Sequence, residues 1–300
     1  MTEQEKFEQE AKKMPKIDMT KIANIDALDS SDRKMVNNAA GKMAESTRRQ
    51  NKRKFNFQEA LRFELPSGGK FYQDADDEDL RHGFITLYPL STADEEILTN
   101  KTYLKNGSMF RILFDSCMAS NYDAKKLLQF DSLYIMYVLR QISYGDDYHF
   151  EVTCKECEAK FPWDLNISEI EWAELPEGCK DARDIKLPVS KFTVTMCLPR
   201  LGSEEQIEII KKQNKKNPDC SDKVATFISN TLSVKDENGE EVDPADWVDF
   251  FAALPAKDRA AINKSFEGTV QEPKATFYCP DCGNEITVEV PISEDFFRLS

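Results

Sequence analysis

Long hydrophobic runs are absent from this sequence of 300 residues. No apolar stretch approaches the roughly 18 to 20 residues that a membrane-spanning helix requires. Residues 1–16 are charged throughout, which is not the pattern of a secretory signal. We therefore expect a cytosolic protein with no membrane partner. In that compartment thiols stay reduced, so the eight cysteines are not expected to form a disulfide framework.

A positive net charge is absent too. The sequence has 40 Lys and Arg against 54 Asp and Glu, which gives a formal net charge of −14. This balance argues against nucleic acid or an anionic membrane surface as the main partner. The basic run at residues 48–54 is a local exception. We interpret it as a solvated linker, because no aromatic side chain for base stacking is interleaved with its charges.

Motifs of catalysis are also missing. The only histidines are His82 and His149, and the sequence has no HExxH motif, no GxSxG elbow and no glycine-rich dinucleotide loop. Gly68-Gly69-Lys70 fails the Walker pattern, because Phe71 follows the lysine and the earlier glycine is lacking. The sequence therefore predicts a non-catalytic interaction or assembly protein.

Two similar cysteine-containing stretches are present. Residues 152–169 read VTCKECEAKFPWDLNISE, and residues 277–294 read FYCPDCGNEITVEVPISE. At a constant offset of 125 they share a Cys-X-X-Cys motif and a final Ile-Ser-Glu. Both motifs lie between stretches that are typical of β-strands, so we interpret them as two halves of one site. The predicted metal ligands are Cys154, Cys157, Cys279 and Cys282.

This pattern is typical of a zinc ribbon, in which each Cys-X-X-Cys motif lies in the tight turn of a β-hairpin. Two facing hairpins then place four thiolates around one structural Zn²⁺. In the second motif Pro280 stiffens the turn, and Gly283 can adopt the positive φ required after the second cysteine. Glu158 stands at the glycine position of the first motif, so we expect a looser or more strained turn there.

Other interpretations of the cysteines stay open at this point: a redox-active motif, a rubredoxin-like iron site and unmetallated thiols. A strand after the motif argues against a thioredoxin-like site, and nothing else in the sequence indicates electron transfer. His149 is a fifth candidate ligand, although we expect a paired surface histidine. The other cysteines are predicted to be core or incidental residues: Cys117, Cys179, Cys197 and Cys220.

The predicted fold class is α+β, with helical segments, short antiparallel strands and a split four-cysteine zinc ribbon. Residues 1–55 are polar and predict a mobile N-terminal tail. The remaining predicted parts are an N-terminal α+β domain at 56–150, ribbon hairpins at 151–170 and 274–294, and an inserted α+β domain at 171–273.

Apolar stripes predict helices over about 107–118 and 123–142. A strand, a proline and a capped acidic helix start occur in both halves of the chain, at 84–98 and at 192–207. Both halves then end in a Cys-X-X-Cys motif. The similarity is weak, but it indicates a duplicated unit.

Several motifs of the first half resemble the T4-type phage baseplate protein family, the hub assembly proteins of contractile-tailed phages. The matching residues are Leu65-Pro66-Ser67, Phe71-Tyr72, Pro89-Leu90, Glu95-Glu96-Ile97-Leu98, Leu139-Arg140, Ser143-Tyr144-Gly145-Asp146, Tyr148, Cys154 and Cys157. The resemblance covers about residues 60–170, and the second half resembles the family less specifically.

This resemblance implies a phage protein that acts in the host cytoplasm and is needed to build the central hub of the tail baseplate. Its partners would be other baseplate hub and tail proteins, and the virion baseplate is a second expected location. The family brings no catalytic residues to this sequence.

Two functional hypotheses follow. The first is a hub assembly factor or hub component with a structural zinc. The alternative is a zinc-ribbon protein associated with nucleic acid or a nucleic-acid complex, which would need a basic, aromatic face on the ribbon. Instead the hairpins carry acidic residues that repel phosphate: Glu156, Glu158, Asp164, Asp281, Glu285 and Glu289.

Overall fold

The structure, a computed structural model, describes residues 57–290, 292 and 294–297. The predicted tail at 1–55 lies outside these residues. The α-helices of the described chain are α1 (Glu78–Arg81), α2 (Thr92–Leu98), α3 (Lys101–Lys105), α4 (Met109–Cys117), α5 (Gln129–Tyr144), α6 (Gly202–Gln213), α7 (Asp222–Ser229), α8 (Trp247–Ala252) and α9 (Ala256–Ser265).

Its strands form four small antiparallel sheets. They are β1 (Leu61–Glu64), β2 (Phe84–Leu87), β3 (Asp147–Thr153), β4 (Lys160–Asn166), β5 (Ala182–Lys186), β6 (Thr193–Cys197), β7 (Thr231–Lys235), β8 (Lys274–Tyr278) and β9 (Glu285–Glu289). β5, β6 and β7 share one sheet in that order, while β1–β2, β3–β4 and β8–β9 are two-stranded. The predicted α+β class is confirmed.

The first core cluster packs α4 and α5 against the sheet of β1 and β2. Leu113, Phe114, Ile135 and Leu139 have no exposed surface there. The capped helix start predicted within 84–98 is observed: Ser91 precedes α2, and its backbone N–H and its hydroxyl both donate to the Asp94 carboxylate in a capping box. The capped helix α2 then packs against α4 at the edge of this core.

The helix predicted at about 123–142 is interrupted. A short 3₁₀ turn covers Ala124–Lys126, and α5 begins only at Gln129. Leu127 and Leu128 between them are extended. Their backbone groups bond to other segments: Leu128 N–H donates to Tyr72 Oη at 2.9 Å, and Leu127 C=O accepts from Leu201 N–H at 2.8 Å. These long-range bonds prevent a continuous helix.

A second core cluster joins the two cysteine hairpins to α5. Tyr137 on α5 donates through its hydroxyl to Val290 C=O at 3.1 Å, and its ring meets Trp172 and Phe296 edge-on. A third cluster lies under the sheet of β5, β6 and β7, where α7, α8 and α9 cover it. No helix in the described residues has the length and apolar character to cross a membrane.

Candidate metal centre

Two β-hairpins carry the predicted ligands. In the first hairpin, β3 and β4, Thr153 pairs with Lys160 just outside the turn. In the second hairpin, β8 and β9, Tyr278 pairs with Glu285 at the same place. Every cross-strand pair of the second hairpin equals a pair of the first shifted by 125 residues. The offset seen in the sequence is therefore also the register of the two hairpins.

The first turn, residues 154–159, is closed by two backbone hydrogen bonds. Cys154 N–H donates to Ala159 C=O at 2.9 Å, and Glu158 N–H donates to Cys154 C=O at 3.0 Å. Glu158 adopts φ +59°, in the left-handed region that favours glycine. Of the two expectations for this turn, its geometry fits strain, since the closing bonds are intact.

The second turn, residues 279–284, repeats this geometry. Cys279 N–H donates to Asn284 C=O at 2.8 Å, and Gly283 N–H donates to Cys279 C=O at 2.9 Å. Gly283 has φ +71°, as predicted for its position. The two turns therefore present their cysteines in matching orientations.

The four sulfur atoms meet. All four Sγ atoms lie within 4.8 Å of one another. Cys154 Sγ is 3.8 Å from Cys282 Sγ, and Cys157 Sγ is 3.6 Å from Cys279 Sγ. Four ligands at about 2.3 Å from a central zinc lie about 3.8 Å apart in a tetrahedron. These residues can therefore hold a metal ion, and both sulfur–sulfur distances fit a tetrahedral thiolate site.

Backbone N–H groups point at the sulfurs. The N–H groups of Cys157 and Glu156 hydrogen-bond to the Cys154 thiol and lower its pKa to about 7. Ala159 N–H and Asn284 N–H bond to Cys157 and Cys282 in the same way in the two turns. Such donors stabilise thiolates, the form that binds a metal.

The sulfurs also repel one another as they ionise. The Ala159 N–H lowers the pKa of Cys157, but desolvation and the three neighbouring sulfurs outweigh it and raise that pKa to about 12. Four thiolates held this close require a compensating positive charge, which a divalent cation would supply. All four cysteines can therefore be thiolates together only when such an ion is bound.

An aromatic layer supports the cluster from below. Phe277 of the second hairpin stacks on Trp163 of the first at 4.4 Å between centroids, and it meets Phe161 edge-on at 6.1 Å. Cys154 and Cys279 are buried against this layer, whereas Cys157 and Cys282 face outward. A site with four cysteine ligands has no open position for a substrate, which is the composition of a structural site.

The other candidate ligands lie outside this cluster. His149 is exposed on β3 and paired with Asp164 across the hairpin, as expected for a surface histidine. Cys117 has no exposed surface and belongs to the first core cluster. Within the described residues, the one group with metal-ligand geometry is the four-cysteine cluster. The cysteines that are partly exposed and stand apart from it are Cys179, Cys197 and Cys220.

The hairpin surface is acidic, as the sequence predicted. The six acidic residues singled out in the sequence are all exposed: Glu156, Glu158, Asp164, Asp281, Glu285 and Glu289. This face does not suit a phosphate backbone. The nucleic-acid alternative therefore gains no support from the ribbon.

The sequence did not reveal a buried arginine that orients the first hairpin. Arg140 on α5 has no exposed surface, and its guanidinium donates to the C=O groups of Gly145 and Asp147. Gly145 ends α5 at φ +91°, so Arg140 fixes the turn from the helix into β3. The signal was Leu139-Arg140 just before Ser143-Tyr144-Gly145-Asp146, but the pattern alone gave no reason to expect burial.

Two of the motif stretches contact each other. Ser143 Oγ accepts from Leu90 N–H at 2.9 Å, and Tyr144 Oη donates to Glu95 at 2.7 Å. Hydrogen bonds therefore hold residues 89–98 and 139–146 together just before the first hairpin. Their role in the described chain is to place β3.

The comparison with protein-family models agrees with the resemblance that residues 60–170 show. The family model described as "T4 bacteriophage base plate protein" matches residues 59–298, which is most of the chain. No curated protein and no solved structure matches the sequence significantly.

Proposed function

Because this chain belongs to the T4 bacteriophage base plate protein family, we propose that it is a non-catalytic protein of baseplate hub assembly. It acts as an assembly factor or as a component of the hub. The match over residues 59–298 carries this proposal, since it spans both cysteine hairpins and the folded parts between them. Its partners are other baseplate hub and tail proteins, met first in the host cytoplasm.

Zinc is the ion that we propose for the four-cysteine cluster. Four thiolates at tetrahedral separations bind zinc tightly, and zinc brings no redox chemistry of its own. When bound, it would supply cross-linking between two segments that are far apart in sequence. Cys154 and Cys157 would hold it from one side, and Cys279 and Cys282 from the other.

The acidic charge favours proteins over nucleic acid as binding partners. The formal net charge is −14, and the exposed faces of both hairpins are acidic. Such a surface attracts basic segments of other proteins and disfavours self-association by mutual repulsion. A structural scaffold with an acidic exterior suits a protein that engages partners during assembly.

The test compares purified phage particles with infected-cell lysate by quantitative mass spectrometry. A fixed, symmetric copy number in particles would identify a hub component. Abundance in lysate beside hub proteins, with absence from particles, would identify an assembly factor. If neither sample contained tail proteins in complex with this chain, the proposed role would be wrong.

A further inference from the structure

We infer that residues 61–166 (unit one) and 182–289 (unit two) are two tandem copies of one structural unit, and that the four-cysteine cluster is a shared site to which each copy contributes one hairpin. This inference rests on backbone topology and hydrogen bonds. It depends neither on the identity of the metal nor on the role in the baseplate.

The elements that the two units share occur in the same order. Each begins with an antiparallel strand pair, β1–β2 or β5–β6, and each ends with a cysteine hairpin, β3–β4 or β8–β9. Between them lie a helix pair that packs together, α2 with α4 or α6 with α7, then a 3₁₀ turn, then α5 or α9. The additional helices are α1 and α3 in unit one and α8 in unit two.

In both units a third segment pairs with the second strand of the sheet. In unit two, β7 follows α7 and pairs antiparallel with β6. In unit one, Met118 follows α4 and forms an antiparallel bridge with Leu87 of β2. The junctions match as well: Tyr88 N–H donates to Cys117 C=O at 2.8 Å, and Cys197 N–H donates to Asn230 C=O at 2.9 Å.

A buried aspartate clamps the first strand turn of unit one. The turn after β1 begins with the buried Leu65, followed by Pro66. Asp131, the third residue of α5, has no exposed surface and accepts the N–H of Ser67 at 3.0 Å. A buried backbone N–H must be paired, so this carboxylate fixes the turn to the helix.

The same clamp occurs in unit two. The turn after β5 begins with the buried Leu187, followed by Pro188. Asp258, the third residue of α9, has no exposed surface and accepts the N–H groups of Val189 and Ser190 at 2.7 and 2.9 Å. Two Leu-Pro turns held by the third residue of equivalent helices are difficult to explain by chance.

Equivalent residues keep a nearly constant separation. Leu187 follows Leu65 by 122 residues, and Asp258 follows Asp131 by 127. Cys279 follows Cys154 by 125. Small insertions in loops account for the differences, since loops tolerate them. The repeat therefore extends from the first strand to the cysteines.

If the two units are copies, the metal centre is a site shared between them. Each unit supplies two sulfurs and therefore half of a tetrahedral site. The site is complete only when the two hairpins face each other, so ion binding is coupled to the contact between the units. The link between them, residues 167–181, includes exposed Glu177 and Gly178.

The experiment cuts the full-length chain at one of two exposed places. A site-specific protease sequence is inserted between Glu177 and Gly178, in the link, or between Asn238 and Gly239, in an exposed turn inside unit two. Each cut protein is unfolded in urea with a chelator and refolded by dilution with zinc. The recovered one-to-one fragment complex is measured by size-exclusion chromatography, and its zinc by mass spectrometry.

Two complete units should refold and pair, whereas a divided unit should not. We expect at least fivefold higher recovery for the link cut, with one zinc for each fragment pair. Equal recovery for both cuts, or better recovery for the cut at Asn238, would overturn the duplication. Recovery of the link-cut pair without zinc would support the duplication and would count against the structural zinc alone.

Discussion

The two cysteine turns reach one backbone geometry with different residues. Gly283 in the second turn and Glu158 in the first both have positive φ, at +71° and +59°. For a residue with a side chain this conformation costs roughly 1–2 kcal/mol relative to the right-handed region. The position of the sulfurs, rather than local preference, therefore sets the backbone of the first turn.

The closing bonds of the first turn, from Cys154 N–H to Ala159 C=O and from Glu158 N–H to Cys154 C=O, hold its strained residue, and α5 holds the opposite end of the hairpin. Arg140 anchors the chain between α5 and β3, so the first hairpin leaves the helix in a fixed direction. The segment after the second hairpin is bonded to α5 by Tyr137, whose hydroxyl donates to Val290 C=O. A strained residue persists when its surroundings determine the conformation.

Removing one sulfur from either hairpin is the strongest test of their equivalence. Cys154→Ser and Cys279→Ser should each abolish the proposed binding of about one zinc per chain. Each should lower the free energy of unfolding by on the order of 3–5 kcal/mol, since loss of a structural metal is among the largest single-residue effects. Zinc is measured by mass spectrometry after dialysis, and stability by urea unfolding.

Cys220→Ser is the control, because that partly exposed thiol lies outside the cluster. It should keep the zinc and change stability by less than about 1 kcal/mol. Unchanged zinc in the Cys154→Ser protein would contradict a single site. Loss in only one of the two cluster variants would contradict their equivalence.

Gly283→Ala makes the second turn bear the same strain as the first. A Cβ at this position meets no atom within 4 Å, so the cost is conformational. We expect a loss of about 1 kcal/mol in stability and, because the strain is released when the ion leaves, about fivefold weaker zinc binding. Competition with a chromogenic chelator measures the affinity.

Gly239→Ala is the matched control. Gly239 also has a positive φ, at +86°, and open space around its Cβ position, but it lies in the turn after β7. It should lower stability by a similar amount and leave zinc affinity unchanged. Equal loss of affinity in both variants would show that global stability, and not the turn, determines binding.

Glu158→Gly should relieve the strain of the first turn. The gain of roughly 1–2 kcal/mol is offset by the greater freedom of glycine in the unfolded chain, about 0.4–1 kcal/mol. A net stabilisation of about 0.5 kcal/mol is expected from urea unfolding. Glu158→Ala removes the same charge but keeps the strained φ, so it should give no gain. A gain with alanine as large as that with glycine would attribute the effect to charge.

Local pattern predicted the pairing of the two cysteine hairpins, because the offset of 125 and the β-strands around each motif are visible in sequence. That the four cysteines bind a metal stays a prediction. Local pattern also predicted the capped helix start within 84–98, which is that of α2, and the positive φ of Gly283. Bonds between distant segments were not visible. The extended Leu127 and Leu128 depend on Tyr72 and on Leu201. The identity of the ion and the four domain boundaries stay predictions.

The smallest expected difference is between the two buried clamp carboxylates, Asp131 and Asp258, whose pKa values shift in opposite directions. Burial raises the pKa of Asp131 despite its bonds from Ser67 and Tyr72. Burial acts on Asp258 too, but the N–H groups of Val189 and Ser190 outweigh it, so its pKa is lowered. A raised carboxyl pKa contributes stability below about pH 4, the ordinary Asp value, and loses it as pH rises through the folded value. A lowered pKa contributes stability above about pH 4 and loses it only at more acidic pH.

As pH rises above the ordinary Asp value of about 4, the two substitutions should therefore differ in their pH dependence. The stability cost of Asp131→Asn, relative to the unsubstituted protein at the same pH, should fall as pH rises, because the substitution removes the unfavourable buried charge. The cost of Asp258→Asn should stay constant, because that carboxyl is ionised over the whole range in both the folded and the unfolded states. Urea unfolding at each pH gives both differences, and titration of metal ligands or histidines cancels in the subtraction. Parallel behaviour of the two variants would mean that the equivalent clamps carry the same charge state, and their different hydrogen bonds would then have no effect on ionisation.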